Sequence, residues 1–307
     1  MGALPISKEL KMTDVIKKNT TSAVSTKELV MTTTGMAASD GDGVKLTRII
    51  GSPQLDMLDP FLLLDCFESD QAEDYIGGFP THPHRGFETV TYLLNGRMRH
   101  KDSKGNEGVI EPGGVQWMTA GKGILHSEMP EQQDGLLKGF QLWVNLPQTA
   151  KMTEPAYQEF SPEKMALEQR IDGTEIRVIA GETNAGTIGS VTNEYTHPTY
   201  MDISLPEGVA FNQAILAGHN AFIYVIEGEL SVGELSVGQK VQALGAKTLG
   251  VFGPGDQISV TAKSITTRFL LAAGQKLDEP VVRGGPFVMN TKEELNQAFD
   301  DFRYGRF

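Results

Sequence analysis

The sequence predicts an all-β protein of two barrel or sandwich domains in tandem, closed by a single C-terminal helix. Three observations carry this expectation. From Val44 onward, short apolar runs of strand length recur between Gly, Pro, Asn and Asp residues, and many short strands so punctuated mean a sandwich or barrel. Glycine makes up 34 of 307 residues against a usual share of about 7%, as a chain with many tight turns requires. The length of 307 residues suits about two domains.

Residues 1–42 are rich in Thr, Ser, Lys and Met, lack a sustained period of 2 or 3.6, and end in the cluster Ser39 to Gly43. They read as a flexible arm. A first domain, 43–150, carries the runs Lys45 to Ile50, Phe61 to Asp65, Glu88 to Leu94, Arg97 to Lys101, Val115 to Thr119, Ile124 to Met129 and Leu136 to Val144. Asn95-Gly96 joins two of them and predicts a type I′ hairpin turn, since both residues tolerate positive φ. A Pro-bearing stretch and a short helix after Ser161-Pro162 lead through a second domain, 151–307. Its runs are Thr174 to Ala180, Tyr200 to Leu205, Ala210 to Leu216, Ala221 to Ile226, Glu229 to Val232, Thr248 to Phe252, Gln257 to Val260 and Thr266 to Ala273.

The halves read as a degenerate repeat: Glu88 to Gly96 aligns with Asn220 to Gly228, and Pro112-Gly113 with Pro254-Gly255. Near the end, Thr291 and Glu294 form a capping box before the apolar stripe Leu295, Phe299 and Phe302, and Gly305 can stop the helix.

Lys and Arg total 27 against 39 Asp and Glu, a net charge of −12. Such a chain repels phosphate backbones, which argues against direct nucleic-acid binding. Cys66 is the only cysteine; an internal disulfide framework is excluded, and the expectation is a buried apolar thiol in a reducing, cytoplasmic setting. No run approaches 18 apolar residues and no signal core follows the early lysines, so neither membrane insertion nor secretion is expected.

Chemistry concentrates in the first domain. His82-Pro83-His84 and His126-Ser127-Glu128 are two pairs at i, i+2, and in extended chain each pair projects to one face. Three imidazoles and a carboxylate meeting inside a small barrel suit one divalent transition metal. Four such ligands close a tetrahedral zinc but leave open positions on iron or nickel, favouring a reactive metal over a structural one. His100 reads as a surface or pocket-wall residue, and His197 and His219 as loop residues. Parity separates Trp117 from Met118, so at most one of them lines a pocket; the expected lining is Phe79, Arg85, Glu88, Trp117 and Met129. The turn Thr119 to Gly123 lacks a following helix and reads as a tight connection, not a phosphate site.

Three segments, Phe79-Pro-Thr-His-Pro-His-Arg-Gly-Phe-Glu-Thr-Val-Thr-Tyr92, Gln116 to Pro130 and Gly284 to Thr291, resemble the pirin family, a bicupin branch of the cupin superfamily. The resemblance runs from about Leu46 to Phe307. It implies two jelly-roll cupin domains and one mononuclear metal in the first, usually Fe(II), with Ni, Cu, Mn or Zn also accepted by such ligands. By motif position the metal ligands fall on His82, His84, His126 and Glu128. Glu88 occupies the place where other cupins take their carboxylate ligand, and the choice between Glu88 and Glu128 stays open; the one not bound would orient an imidazole or a water.

In the second half, equal spacing from the aligned turns places Ala214, Leu216, Arg268 and Leu270 at the four ligand positions, which implies a metal-free C-terminal cupin. The resemblance further implies a dioxygenase that opens a flavonol-like (quercetin) ring with O2 and releases carbon monoxide, with Glu128 or Glu88 taking the substrate proton. The alternative is an iron-containing redox sensor that binds a protein partner, a transcription factor or metabolic enzyme, without turnover. Other small-molecule cupin chemistry, such as isomerisation, ranks below both.

Overall fold

In the computed structural model, which describes residues 24–233 and 241–307, each half of the chain builds a seven-stranded sheet over a four-stranded one. Both four-stranded sheets have the same order: Phe79–His84, Ile124–Pro130, Met98–Asp102 and Glu107–Ile110 in the first half, and Ala210–Ala214, Gln257–Ala262, Glu229–Val232 and Gln242–Gly245 in the second. The fold is thus two jelly rolls, and the described residues contain one α-helix, Lys292–Arg303. Strands Val115–Thr119 and Glu229–Val232 match the sequence reading to the residue. The short helix expected after Ser161-Pro162 is the 3-10 helix Pro162–Lys164. One local expectation needs correction: Asn95 still belongs to the strand Phe87–Asn95, with positive φ (+82°) at Gly96 alone, so the turn is not type I′.

Residues 1–23 of the expected arm lie outside the described residues. The rest of it is not loose. Leu29–Thr33 pairs with Leu249–Phe252 at the edge of the second domain's large sheet, and Met36–Asp40 pairs with Val44–Ile50 in the first. Reciprocally, Ala156–Phe160, beyond the boundary expected at residue 150, pairs with Val115–Thr119 of the first domain. The domains therefore exchange edge strands. Little hydrophobic signal marks these segments: Leu29 and Thr33 are the buried residues of their strand, and Met36–Asp40 and Ala156–Phe160 contain none.

Alternation along the central strands then sorts side chains between two destinations. Val90, Tyr92, Trp117 and Phe140 leave the first barrel and pack against Tyr200, Phe222, Tyr224 and Leu270 of the second; the Phe140 and Tyr224 rings meet edge to face at 5.4 Å. The interior of the second barrel is filled with hydrocarbon, Ile215, Ile258, Val260 and Phe269 among it. The interior of the first instead holds a buried polar set, including Thr91, His126 and Glu128.

The capping box at Thr291 and Glu294 forms as expected, but the helix does not close the second barrel. It returns to the first: Asp301 accepts from Arg85 Nη1 at 2.8 Å, and the Arg85 guanidinium lies 4.4 Å over the Phe307 ring. Among the described residues, no helix is long and apolar enough to cross a membrane.

Candidate metal centre

The strand Phe79–His84 runs antiparallel to Ile124–Pro130 with His82 opposite His126. Period-2 parity brings His84 to the same spot, and one ligand nitrogen from each of the three rings lies within 4.8 Å of the others. Hydrogen bonds fix two tautomers. His82 Nδ1 donates to Pro80 O at 2.8 Å and His84 Nδ1 to Pro286 O at 3.4 Å, which leaves the lone pairs on two Nε2 atoms only 3.0 Å apart. His126 is 1% exposed, and neither of its ring nitrogens has a hydrogen-bond partner among the described residues. Burial, and then the neighbouring imidazoles, hold His84 and His126 well below the ordinary histidine pKa, so both are neutral and able to coordinate. Facing lone pairs and an orphaned buried imidazole are costly alone. A shared cation satisfies all three, and a nitrogen-rich donor set fits a divalent transition metal.

Glu128 is fully buried on the His126 face of the same strand. Its carboxylate stands outside the three-imidazole cluster and accepts from Thr91 Oγ1 at 2.5 Å and Gln141 Nε2 at 2.7 Å. Glu88, the other candidate carboxylate, takes the opposite course. Between His84 and Glu88 the chain turns at Gly86 (φ +88°), where a Cβ would meet Val288 O at 2.0 Å. After this turn Phe87, Thr89 and Thr91 face the barrel interior, while Glu88 faces the other domain. There it accepts from Thr119 Oγ1 and Asn193 Nδ2, and burial raises its pKa to about 7. It can serve neither as metal ligand nor as an orienting group for the imidazoles.

A cavity of about 740 Å³ opens over His82 and His84, walled by Phe79, Trp143, Leu63, Asp65 and Gln141. Of the expected lining only Phe79 is there. Trp117 is 1% exposed in the interdomain core. Arg85, 3% exposed, is held by Asp301, Phe307 and the Lys122 carbonyl. Met129 lies on the strand face opposite His126, with its sulfur beside Gly78. Met118 points inward but packs with Ala120 and Ile124. His100 is buried beside Tyr157 and Glu159, at 2.5 and 3.0 Å from its Nε2, so it forms no part of the surface or pocket wall. His219 opens the strand His219–Glu227 and is no loop residue. Trp143 and Gln141 were missed, though their i, i+2 spacing in an apolar strand was the available signal. Cys66 is buried, and burial pushes its thiol up to about 11.

The second barrel shows which counterparts the ligands have. Gly123 and Gly255, with φ of +138° and +146°, end equivalent connections, so His126 and Glu128 correspond to Ile258 and Val260. The pair Ile258↔Gln213 stands where His126↔His82 does, and Ile215 stands for His84. The expected counterparts Ala214, Leu216, Arg268 and Leu270 therefore do not occupy the ligand positions. One residue more separates Ile215 from Val225 than His84 from Leu93. Pro254-Gly255 follows a strand that Pro112-Gly113 precedes, which moved the count one strand too far. Arg268 in fact lies in Thr266–Gln275 and holds Asp202 with two hydrogen bonds. None of the four true counterparts is a histidine or carboxylate, and among the described residues no second such cluster occurs.

Two jelly rolls in tandem, the first alone carrying three convergent imidazoles, make this a bicupin. Residues 43–144 match the pirin family model and residues 200–307 the pirin C-terminal cupin domain; the chain belongs to the pirin family. It is 53% identical over 274 residues to a pirin-like protein of Caulobacter vibrioides, covering 89% of this chain and 96% of that one. It is 44% identical to human pirin, covering 91% and 93%. A crystal structure of quercetin 2,3-dioxygenase from Acinetobacter baumannii aligns with TM-score 0.81 at 35% identity, covering 92% of this chain and 98% of that one.

Proposed function

We propose that the chain is a mononuclear metal-dependent dioxygenase that opens the heterocycle of a flavonol-like substrate with O2 and releases carbon monoxide. The observation that carries this reading is the trio of convergent imidazoles, His82, His84 and His126, the first two of which line an aromatic-walled cavity. Similarity to a solved quercetin 2,3-dioxygenase supports the substrate class. His82, His84 and His126 would hold the metal, Fe(II) first among the candidates, with Glu128 as the carboxylate donor. When bound, the metal supplies Lewis acidity toward the substrate hydroxyl and electron exchange with O2.

The remaining work falls to side chains. Glu128 accepts two hydrogen bonds in its resting place, and its remaining lone pairs can take the hydroxyl proton of the substrate. Thr91 and Gln141 hold that carboxylate in register, so the proton is received at a fixed point. Phe79, Trp143 and Leu63 offer the ring system an apolar slot and limit water at the reacting end. Carbon monoxide released from quercetin under air, with saturation kinetics, by protein loaded with iron, nickel, copper or manganese tests the reading. Release by a metal-free preparation, or none under any loading, overturns it.

A further inference from the structure

Across four neighbouring strands of the first barrel, Arg48, Asp65, Gln141 and Thr91 stand directly opposite one another. Direct cross-strand neighbours share a face, so these four form one polar row across the barrel wall. Its inner end is Glu128, which Thr91 and Gln141 both bond. Its outer end is Asp40 at the cavity mouth, bonded to Arg48 Nη2 at 2.8 Å. Arg48 grips Asp65 through Nε and Nη2 at 3.0 and 2.7 Å, while its Nη1 has no partner among the described residues. The Asp65 side chain is only 5% exposed, yet it lines the cavity. Its two oxygens each receive one Arg48 bond and keep further lone pairs.

We infer that Arg48 and Asp65 are the specificity-determining pair of this site, selecting aromatic substrates that carry ring hydroxyls at the end remote from the imidazoles. The inference rests on the cavity being the substrate site. Besides its imidazoles, the cavity is lined by two carboxylates, Asp40 and Asp65, and two guanidiniums, Arg48 and Arg283. These balance, so the wall favours neither anions nor cations, and discrimination falls to hydrogen bonds. A phenol hydroxyl can donate to Asp65 and accept from Arg48 Nη1 together, and vicinal hydroxyls can engage both groups. A substrate without them leaves a desolvated carboxylate and guanidinium facing hydrocarbon, the situation that gives polar sites their sharpest selectivity.

The test is calorimetric binding to the metal-loaded full chain without oxygen, comparing quercetin with 3-hydroxyflavone, which keeps the reacting end and lacks the ring hydroxyls. The wild type is expected to prefer quercetin by about 10-fold or more, the scale of one hydrogen bond to a charged group. Asp65→Asn should bring the preference within about 3-fold while 3-hydroxyflavone affinity stays within about 2-fold; Arg48→Gln should act in the same direction and reads the pair independently if the first variant folds poorly. Equal losses for both ligands, or an unchanged preference, overturn the assignment. A wild type that shows the preference without releasing carbon monoxide sinks the dioxygenase reading and leaves the recognition pair standing. Turnover with no preference does the reverse.

Discussion

Asn193 of the second domain donates to the Glu88 carboxylate of the first at 2.5 Å, so the residue that motif position offered as a metal ligand is instead part of the joint between the barrels. Thr119 supplies its other partner from the adjacent strand. A carboxyl with two hydrogen bonds, wholly removed from water, is left with burial as its dominant influence.

That burial makes Glu88 a pH-dependent liability. Its pKa rises from 4.5 to about 7 in the folded chain, so between those values the native state binds more protons than the unfolded one. Stability must then fall as pH rises through this window. Glu88→Gln keeps both partners, with the amide accepting from Asn193 and donating to Thr119, and removes the titration. The variant should match the wild type near pH 4.5 and exceed it above pH 7, by at most about 3 kcal/mol, with metal content unchanged. Urea unfolding at the two pH values together with elemental analysis decides it; loss of metal in this variant would return Glu88 to the site.

His126 should show the opposite pattern. With neither ring nitrogen satisfied, it gains most from a cation. Metal at about 100 times its Kd should stabilise the wild type by about 2.7 kcal/mol, raising Tm by roughly 5–10 °C. His126→Ala should bind less than stoichiometric metal and melt at the same temperature with and without it. Differential scanning calorimetry of both forms is the measurement, and a metal-dependent Tm in the variant would count against the cluster.

What could be read in advance followed from period-2 alternation wherever the chain stayed extended. His82 with His84, and His126 with Glu128, each lie within one unbroken strand, and the structure brings the three imidazoles together. The failures sit where the backbone turns or a strand pairs far away. The turn at Gly86 sets Glu88 on the face opposite the imidazoles, and an extra residue before His219–Glu227 shifts the counterparts in the second barrel. Leu29–Thr33 and Ala156–Phe160 are edge strands whose partners lie more than a hundred and more than thirty residues off respectively; short segments covered on one side carry little periodic signal. Trp117 lies in the interdomain core and not in the cavity because sequence shows which residues alternate, not which side of a sheet faces a second domain.

The arm strand gives a direct stability test. Leu29 is 8% exposed, with Cδ1 seated over Gly250 where a Cβ would come within 2.5 Å, whereas Val30 is 62% exposed. Leu29→Ala should cost about 2–3 kcal/mol, and Val30→Ala should stay within about 0.5 kcal/mol. Equal, small effects in chemical denaturation would show that the segment adds nothing to the second domain.

The last helix offers a test that reaches the imidazoles. Arg85 is nearly fully buried and takes its countercharge from Asp301, and its backbone pairs with the segment that holds His84: Arg85 N donates to Pro286 O, and the same carbonyl accepts from His84 Nδ1. Arg85, Arg306 and Gln297 hydrogen bonds hold the Asp301 carboxyl down at about 2. The unfolded chain therefore binds more protons between about 2 and the ordinary value of 3.8, so this contribution is complete above pH 4 and fades as pH falls through that window. Asp301→Asn should cost about 3 kcal/mol at pH 7, because it leaves a buried guanidinium unpaired, and the wild-type and variant stabilities should converge as pH approaches 2. Loosening the clamp frees the Pro286 carbonyl that orients His84, so metal should also dissociate several-fold faster, as read by chelator competition. A variant that unfolds more easily yet releases metal at the wild-type rate would confine the helix to a stabilising role and separate it from the metal centre.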